Sequence, residues 1–335
     1  MLKKLNFVLA IMMVFSFALA GCASTDSVSD SDASNSNDSG NAGKDDGQLV
    51  VGFSQMENNN PWRVAETKSI KEEAKKRGIK LVYTDAHSDT AKQVSDVEDM
   101  IAKGVDYILL APREYLGLAP ALDAAKKAGI PVILIDREAK GTPGEDYVTF
   151  IGSNFIQEGK RAAKWLKEET GGKAKIIELL GTTGSSVAKD RHEGFVSVIK
   201  DVPGMEIIAS QDGDFTRAKG QKVMENLLQS YGDQVTAVYA HNDEMALGAI
   251  NAIEAYGKKP GKDIKIVSID GTKDGLQAII DGKINAIVQC SPDFGPVAFD
   301  VIKKLENGEE VPTKIINEDL FYDKSNAKKY VDSAF

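Results

Sequence analysis

Residues 49–85 read LVVGFSQMENNNPWRVAETKSIKEEAKKRGIKLVYTD, and the alternation inside this stretch decides the fold. Leu49–Phe53 is a short apolar run that fits a strand buried on both faces. Pro61–Arg77 is amphipathic, with proline at its first position, where a helix tolerates a missing N–H. Gly78 follows, where a helix-ending glycine belongs, and Lys80–Asp85 is the next strand. Working outward, the pattern continues as a helix over Ala91–Lys103, a strand over Tyr107–Ala111, a helix over Leu118–Ala128 and a strand over Val132–Asp136. Gly104 and Gly129 repeat the place of Gly78. Apolar strands alternating with helices argue for a parallel sheet covered on both faces.

The pattern restarts after Ser153. Helices are predicted over Asn154–Glu169, Val187–Lys200, Thr216–Ser230, Asp243–Tyr256 and Thr272–Asp281. Strands are predicted over Lys175–Leu180, Glu206–Gln211, Ala237–Ala240, Ile264–Asp270 and Ala286–Gln289. Two such units in tandem make two α/β lobes facing each other.

Ligands of open α/β sheets bind outside the carboxyl ends of the strands, so the residues there carry the functional reading. Asn60, Trp62 and Arg63 follow the first strand, Asp136 and Arg137 end the fourth, and Asn242, Asp270 and Gln289 stand at later strand ends. Arg191 and Phe215 also lie just beyond strands; Arg113 and Glu66 are further candidates. Asp, Asn, Gln and Arg are fork-shaped groups that each grip two neighbouring hydroxyls. Trp62 and Phe215 supply flat apolar faces for the C–H faces of a sugar ring. Asp243 and Asp274 read as helix caps, and His192 and His241 as surface or packing residues.

Other chemistries find little support. No nucleophile has a base beside it, so no catalytic residue is assigned. The three histidines, His87, His192 and His241, lack the spacing of a metal pair, and no cofactor is implied. The segment from Gly181 to Ser186, GTTGSS, looks friendly to phosphate but lacks the Gly-Lys-Ser/Thr ending of a P-loop. Asp136 and Asp270 could meet across a cleft as glycosidase carboxylates do. Their flanking arginines are expected to keep both ionised, whereas a general acid must be protonated. The formal net charge of -9 argues against nucleic acid as a partner, and 42% apolar residues suffice for real cores.

The N-terminus speaks for the compartment. Lys3 and Lys4 precede an apolar stretch, Phe7–Leu19, too short to span a bilayer comfortably. Leu19-Ala20-Gly21-Cys22 resembles the lipobox of bacterial lipoproteins, which implies lipidation of Cys22. Ser, Asp, Asn and Gly dominate from Ala23 to Gly47, a composition that cannot bury enough surface to fold and reads as a tether. Cys290, the second of two cysteines, sits in an apolar strand and is expected to be a buried, reduced thiol.

From Leu49 to about Tyr330 the chain resembles the ribose-type (cluster B) periplasmic sugar-binding proteins of ABC importers. The resemblance is carried by Asn59-Asn60-Pro61-Trp62, Ile135-Asp136-Arg137, Arg191 with Gly194-Phe195, Asp214-Phe215 with Lys219-Gly220, Asn242-Asp243-Glu244-Met245-Ala246, Ile269-Asp270-Gly271 and Val288-Gln289. Within the family it is most similar to the galactofuranose-binding branch, through Val51-Gly52-Phe53-Ser54-Gln55, Trp62-Arg63 and Tyr239-Ala240-His241-Asn242-Asp243. Gln289 departs from that branch and resembles the ribose binders instead.

The resemblance implies a periplasmic-binding-protein type I fold, two Rossmann-like lobes joined by a three-stranded hinge. It implies a signal peptide over 1–21, a tether over 22–48, an N-terminal lobe of 49–152 with 291–317, and a C-terminal lobe of 153–290 with 318–335. Its implied partners are a monosaccharide, a furanose such as galactofuranose or else ribose, and an ABC permease with its ATPase. The protein would be an extracytoplasmic monomer, touching the membrane only through its lipid anchor, with lobes that close on the sugar. A sugar-sensing receptor presenting its ligand to a chemoreceptor or sensor kinase would use the same pocket and export signal. A repressor sharing the two-lobe core would need an N-terminal helix-turn-helix where this chain has a lipobox and an acidic tether.

Overall fold

The computed structural model describes residues 47–335. The expected signal peptide, Cys22 and the expected tether up to residue 46 lie outside the described residues. No helix among the described residues is long and apolar enough to cross a membrane.

The chain runs β1 (Val50–Gln55), α1 (Pro61–Lys76), β2 (Lys80–Asp85), α2 (Thr90–Ala102), β3 (Tyr107–Leu110), α3 (Ala119–Ala128), β4 (Val132–Ile135) and β5 (Thr149–Gly152). It continues through α4 (Phe155–Glu169), β6 (Ala174–Leu180), α5 (Ser186–Ile199), β7 (Met205–Asp212), α6 (Arg217–Tyr231), β8 (Ala237–Ala240) and α7 (Asp243–Ala255). The last elements are β9 (Lys265–Asp270), α8 (Lys273–Ile280), β10 (Ala286–Gln289), α9 (Gly295–Glu306), β11 (Lys314–Ile316), β12 (Phe321–Asp323) and α10 (Ala327–Tyr330).

These strands form two six-stranded sheets with one plan. The first has the order β11-β5-β4-β3-β1-β2 and the second β12-β10-β9-β8-β6-β7. Every pairing is parallel except β10 with β12. In each sheet the chain steps to one edge strand, then reverses past its starting strand. Right-handed crossovers therefore put the first helix on one face and the next on the other. α1 packs on α9 and α2 on α3; in the second lobe α4 packs on α5, and α6 on α7. Both sheet faces are covered, and β3, β4, β5 and β8 are buried along their whole length.

The chain passes between the sheets three times: from β5 to α4, from β10 to α9, and from β11 to β12. β5, α9, β11, β12 and α10 are elements that the alternation in the sequence does not reveal. β11 and β12 have three residues each, too short for a hydrophobic period to register. Gly78, Gly104 and Gly129 all take positive φ, 67°, 69° and 70°, as helix-ending glycines do.

Candidate functional site

A cavity between the two lobes is lined by Asn60, Trp62, Arg63, Asp136, Arg137, Arg191, Phe215, Asn242, Asp270 and Cys290. Nine of these ten are residues that the strand-end reading singles out.

The N-terminal lobe builds its part on the β1–α1 turn. Asn60 is extended and caps α1, its side-chain oxygen accepting from the Arg63 N–H. Pro61 opens the helix, so Trp62 and Arg63 fall in the first turn, facing the end of β4. Trp62 Nε1 donates to the Cys290 carbonyl at 2.9 Å, which ties α1 to the crossover after β10. Arg63 donates to Glu66 at 2.7 Å and to Asp136 at 2.5 Å, and its guanidinium lies 4.6 Å from the Trp62 ring centre. Gln55 donates to the same Glu66 oxygen. Glu66 therefore stands behind Arg63 and does not line the cavity.

Asp136 ends β4 at a φ of 64°, a left-handed turn that aspartate adopts at some cost. Arg137 follows and donates to the Arg113 carbonyl. Arg113 thus contributes a backbone oxygen behind the arginine, and its side chain is not part of the cavity wall. The Nε of Arg137 is buried and has no hydrogen-bond partner. Burial, with Arg63 nearby, pushes the Arg137 guanidinium down to about 10. Across the cleft its guanidinium faces the Phe215 ring at 5.3 Å.

The C-terminal lobe answers with Arg191 on α5. Its Nε donates to Glu158 at 2.7 Å and its Nη1 to the His241 carbonyl at 2.6 Å, and Nη2 lies 3.9 Å from Asp270. Phe215 sits at a φ of 56°, immediately after Asp214 at 53°. Any side chain at Gly181 would meet its ring at 1.9 Å, so glycine is required there to let the ring lie flat. Asn242 does two jobs: its oxygen caps α7 through Met245 N–H, and its amide donates to the Phe215 carbonyl. The strand-end asparagine is thus both a helix cap and a cavity residue.

Several expectations are corrected. Gln289 does not face the cavity. Its side-chain oxygen accepts from Leu320 N–H at 2.9 Å and its own N–H donates to the Leu320 carbonyl, so the amide is spent on joining β10 to the return strand. Cys290 is a free, buried thiol as expected, its Sγ 3.6 Å from the Ser153 hydroxyl, and the residue is the tenth in the cavity lining. Asp243 is not the cap of α7; it accepts from Gly271 N–H, Thr272 N–H and the Ser268 and Thr272 hydroxyls, and so fixes the loop after β9. Asp274 is an exposed partner of Arg217, and Thr272 caps α8.

The flanking arginine does not govern Asp270 either. Burial pushes its carboxyl well above the usual range, because Arg191 stands 3.9 Å off while water is excluded. The segment Gly181–Ser186 follows β6, and its Thr183 N–H donates to Asp212 at the end of β7. It lies against the opposite lobe, where Tyr115 N–H donates to the Gly184 carbonyl and Glu138 N–H to the Ser186 hydroxyl.

His241 is fully buried and shares Glu178 with the half-exposed His192. Burial works against the Glu178 charge, but hydrogen bonds from both histidines hold it down to about 2.

The cavity measures about 30 Å³, roughly two to three times what one water needs. A ring sugar with its hydroxyls is larger than this cavity. The arrangement can grip vicinal hydroxyls with three guanidiniums and two carboxyl groups while two aromatic faces meet the ring. It holds no nucleophile–base pair.

Residues 51–310 match the model of the periplasmic binding protein domain. The chain belongs to the periplasmic binding protein family. It is 44% identical over 270 residues to galactofuranose-binding protein YtfQ of Escherichia coli, covering 80% of this chain and 85% of that one. It is 39% identical over 269 residues to ribose import binding protein RbsB of Bacillus subtilis, with coverage of 80% and 85%. The binding protein of the arabinose ABC transporter from Shewanella sp. ANA-3, bound to α- and β-L-arabinofuranose, superposes with a TM-score of 0.82 at 42% identity, covering 85% of this chain and 95% of that one. The two-lobed architecture is the type I fold of that family, and the protein is a sugar-binding protein of the ABC-transport kind, acting outside the cytoplasm, and not an enzyme.

Proposed function

We propose that this protein captures one monosaccharide in its furanose form, of the galactofuranose or arabinofuranose kind with ribose next, and hands it to an ABC permease. The lobes close on the sugar and the closed form docks on the permease, while a lipid on Cys22 keeps the monomer at the membrane surface. The observation that carries the reading is the convergence of Asn60, Trp62, Arg63, Asp136, Arg137, Arg191, Phe215, Asn242 and Asp270 on one cavity from both lobes. Charged forks and flat apolar faces in one cavity suit a polyhydroxylated ring and little else. The furanose preference is supported by relatives named for galactofuranose and arabinofuranose.

A thermal-shift screen tests this, since a ligand of the folded state raises stability by RT ln(1 + [L]/Kd). D-Galactose, L-arabinose and D-ribose equilibrate with furanose rings; methyl pyranosides cannot. The reducing sugars should raise the melting temperature and the methyl pyranosides should not. Binding of the methyl pyranosides alone would overturn the furanose assignment. Labelling with a palmitate analogue tests the anchor, and label that persists in Cys22→Ser would refute it.

A further inference from the structure

We propose that Glu158 is the positioning residue for Arg191, the counterpart in the C-terminal lobe of Glu66 behind Arg63. The inference rests on reading the cavity as the sugar site. It is drawn from an arrangement that occurs twice. In the N-terminal lobe, α1 supplies Arg63 and Glu66, and β4 ends in Asp136. In the C-terminal lobe, α5 supplies Arg191, α4 supplies Glu158, and β9 ends in Asp270. Each glutamate holds its arginine at 2.7 Å through one oxygen. Each keeps its other oxygen buried and without a hydrogen-bond partner. Neither glutamate lines the cavity, while both arginines and both aspartates do.

The clamp has a geometric purpose. Arg191 is fixed at Nε by Glu158 and at Nη1 by the His241 carbonyl, with the Phe155 and Phe215 rings 5.6 and 5.8 Å away. That leaves the Nη2 edge toward Asp270 and the cavity. A guanidinium pre-set in this way loses less freedom when a hydroxyl arrives.

The orphaned oxygen is where a proton belongs. Burial pushes Glu158 up to about 7 against the pull of Arg191, with Asp319 adding to the rise; burial does the same to Glu66, also to about 7, against Arg63. The groups facing Glu158 are Arg191 from α5, Tyr239 from β8, Asp270 from β9, the Cys290 thiol after β10, and Asp319 from the β11–β12 crossover. Arg161, on its own helix, is committed to the Asp319 carbonyl.

Calorimetry with L-arabinose and D-galactose at about pH 7 reads the affinity. Glu158→Gln keeps the acceptor for Arg191 Nε and should bind within about threefold of the unaltered protein. Glu158→Ala frees the guanidinium and should lose about tenfold or more, and Glu158→Leu, which fills the space without an acceptor, should lose as much. Unchanged affinity in Glu158→Ala, or in Glu158→Leu where the Ala variant does not fold, overturns the proposal, and so does a tenfold loss in Glu158→Gln. Arg191→Ala separates the two ideas. If it binds normally, or if the unaltered protein binds neither sugar, the cavity reading itself fails. If Arg191→Ala loses binding and Glu158→Ala does not, only the positioning role fails.

Discussion

Among the three cavity arginines, the company each keeps sets what its loss should do. Arg63 is shared between Asp136 and Glu66, both buried, so removing it strands two carboxyls. Arg63→Ala should cost about 3–5 kcal/mol of folding stability and weaken every sugar alike. Arg137 is held more loosely: its Nε has no hydrogen-bond partner and stands 3.6 Å from Asp136, and burial lowers its pKa to about 10. Arg137→Ala should leave the thermal midpoint of the sugar-free protein unchanged or raised, yet cost about 2–5 kcal/mol in binding, measured by calorimetry. Normal affinity in that variant would remove Arg137 from the site. Gln289 gives the converse test, because its amide serves Leu320 rather than the cavity. Gln289→Ala should keep sugar affinity and lose about 1 kcal/mol of stability, seen in urea unfolding. Gln289 and Cys290 also show how far a strand end can be read in sequence. Neighbouring residues of a strand point to opposite faces, so a one-residue choice decides which enters the cavity. Chemistry favours the polar residue, and the backbone gives the place to Cys290. Glu158 was illegible for a different reason: it acts from a helix interior, behind the arginine, where nothing in a local pattern marks it.

At the scale of elements, the alternation from Leu49 to Gln289 was legible, β5 excepted, because most of its strands carry an apolar run and most helices end on glycine or a polar turn. The return through α9, β11 and β12 was not, because its strands are three residues long and one pairs antiparallel at a sheet edge. The packing of α4 on α5 was equally hidden, although it places Arg191. A Cβ on Gly159 would lie 2.1 Å from the Arg191 carbonyl, and one on Gly194 would lie 2.2 Å from the Ile156 carbonyl. The two helices therefore touch backbone to backbone, and neither contact can give way as a flexible side chain would. Gly159→Ala and Gly194→Ala should each destabilise by about 1–3 kcal/mol through overpacking, measured by chemical denaturation. Gly159→Ala should also weaken sugar binding beyond its effect on folding, because the helix turn it displaces carries Arg191. A variant with native stability would show that the helices separate without cost.

For the whole molecule, the buried carboxyls set how stability responds to pH. Burial pushes Glu66 and Glu158 up to about 7 from 4.5, and Asp243 up to about 6 from 3.8. Asp270, Asp190 and Asp319 move the same way, also through burial. Between its unfolded and folded values each group holds a proton in the folded chain that the unfolded chain has released. Raising the pH through that window therefore takes stability away. Glu178 has the opposite sign: held down to about 2, it contributes stability above 4.5 that is lost as the pH falls toward 2. The two histidines beside it oppose each other. His192 is raised by its bond to Glu178, so its contribution fades as pH rises past its folded value; His241 is lowered by burial and gains as pH rises toward 6.5. With the carboxyls outnumbering the single lowered histidine, unfolding free energy should be greatest near pH 4.5–5 and decline toward pH 7. Urea unfolding of the sugar-free protein at about pH 5, 6, 7 and 8 measures this curve directly. The double variant Glu66→Gln, Glu158→Gln should flatten it, since neither amide titrates. A stability that rises steadily from pH 5 to 8 would mean that these carboxyls are ionised in the folded protein. Their arginines would then outweigh burial.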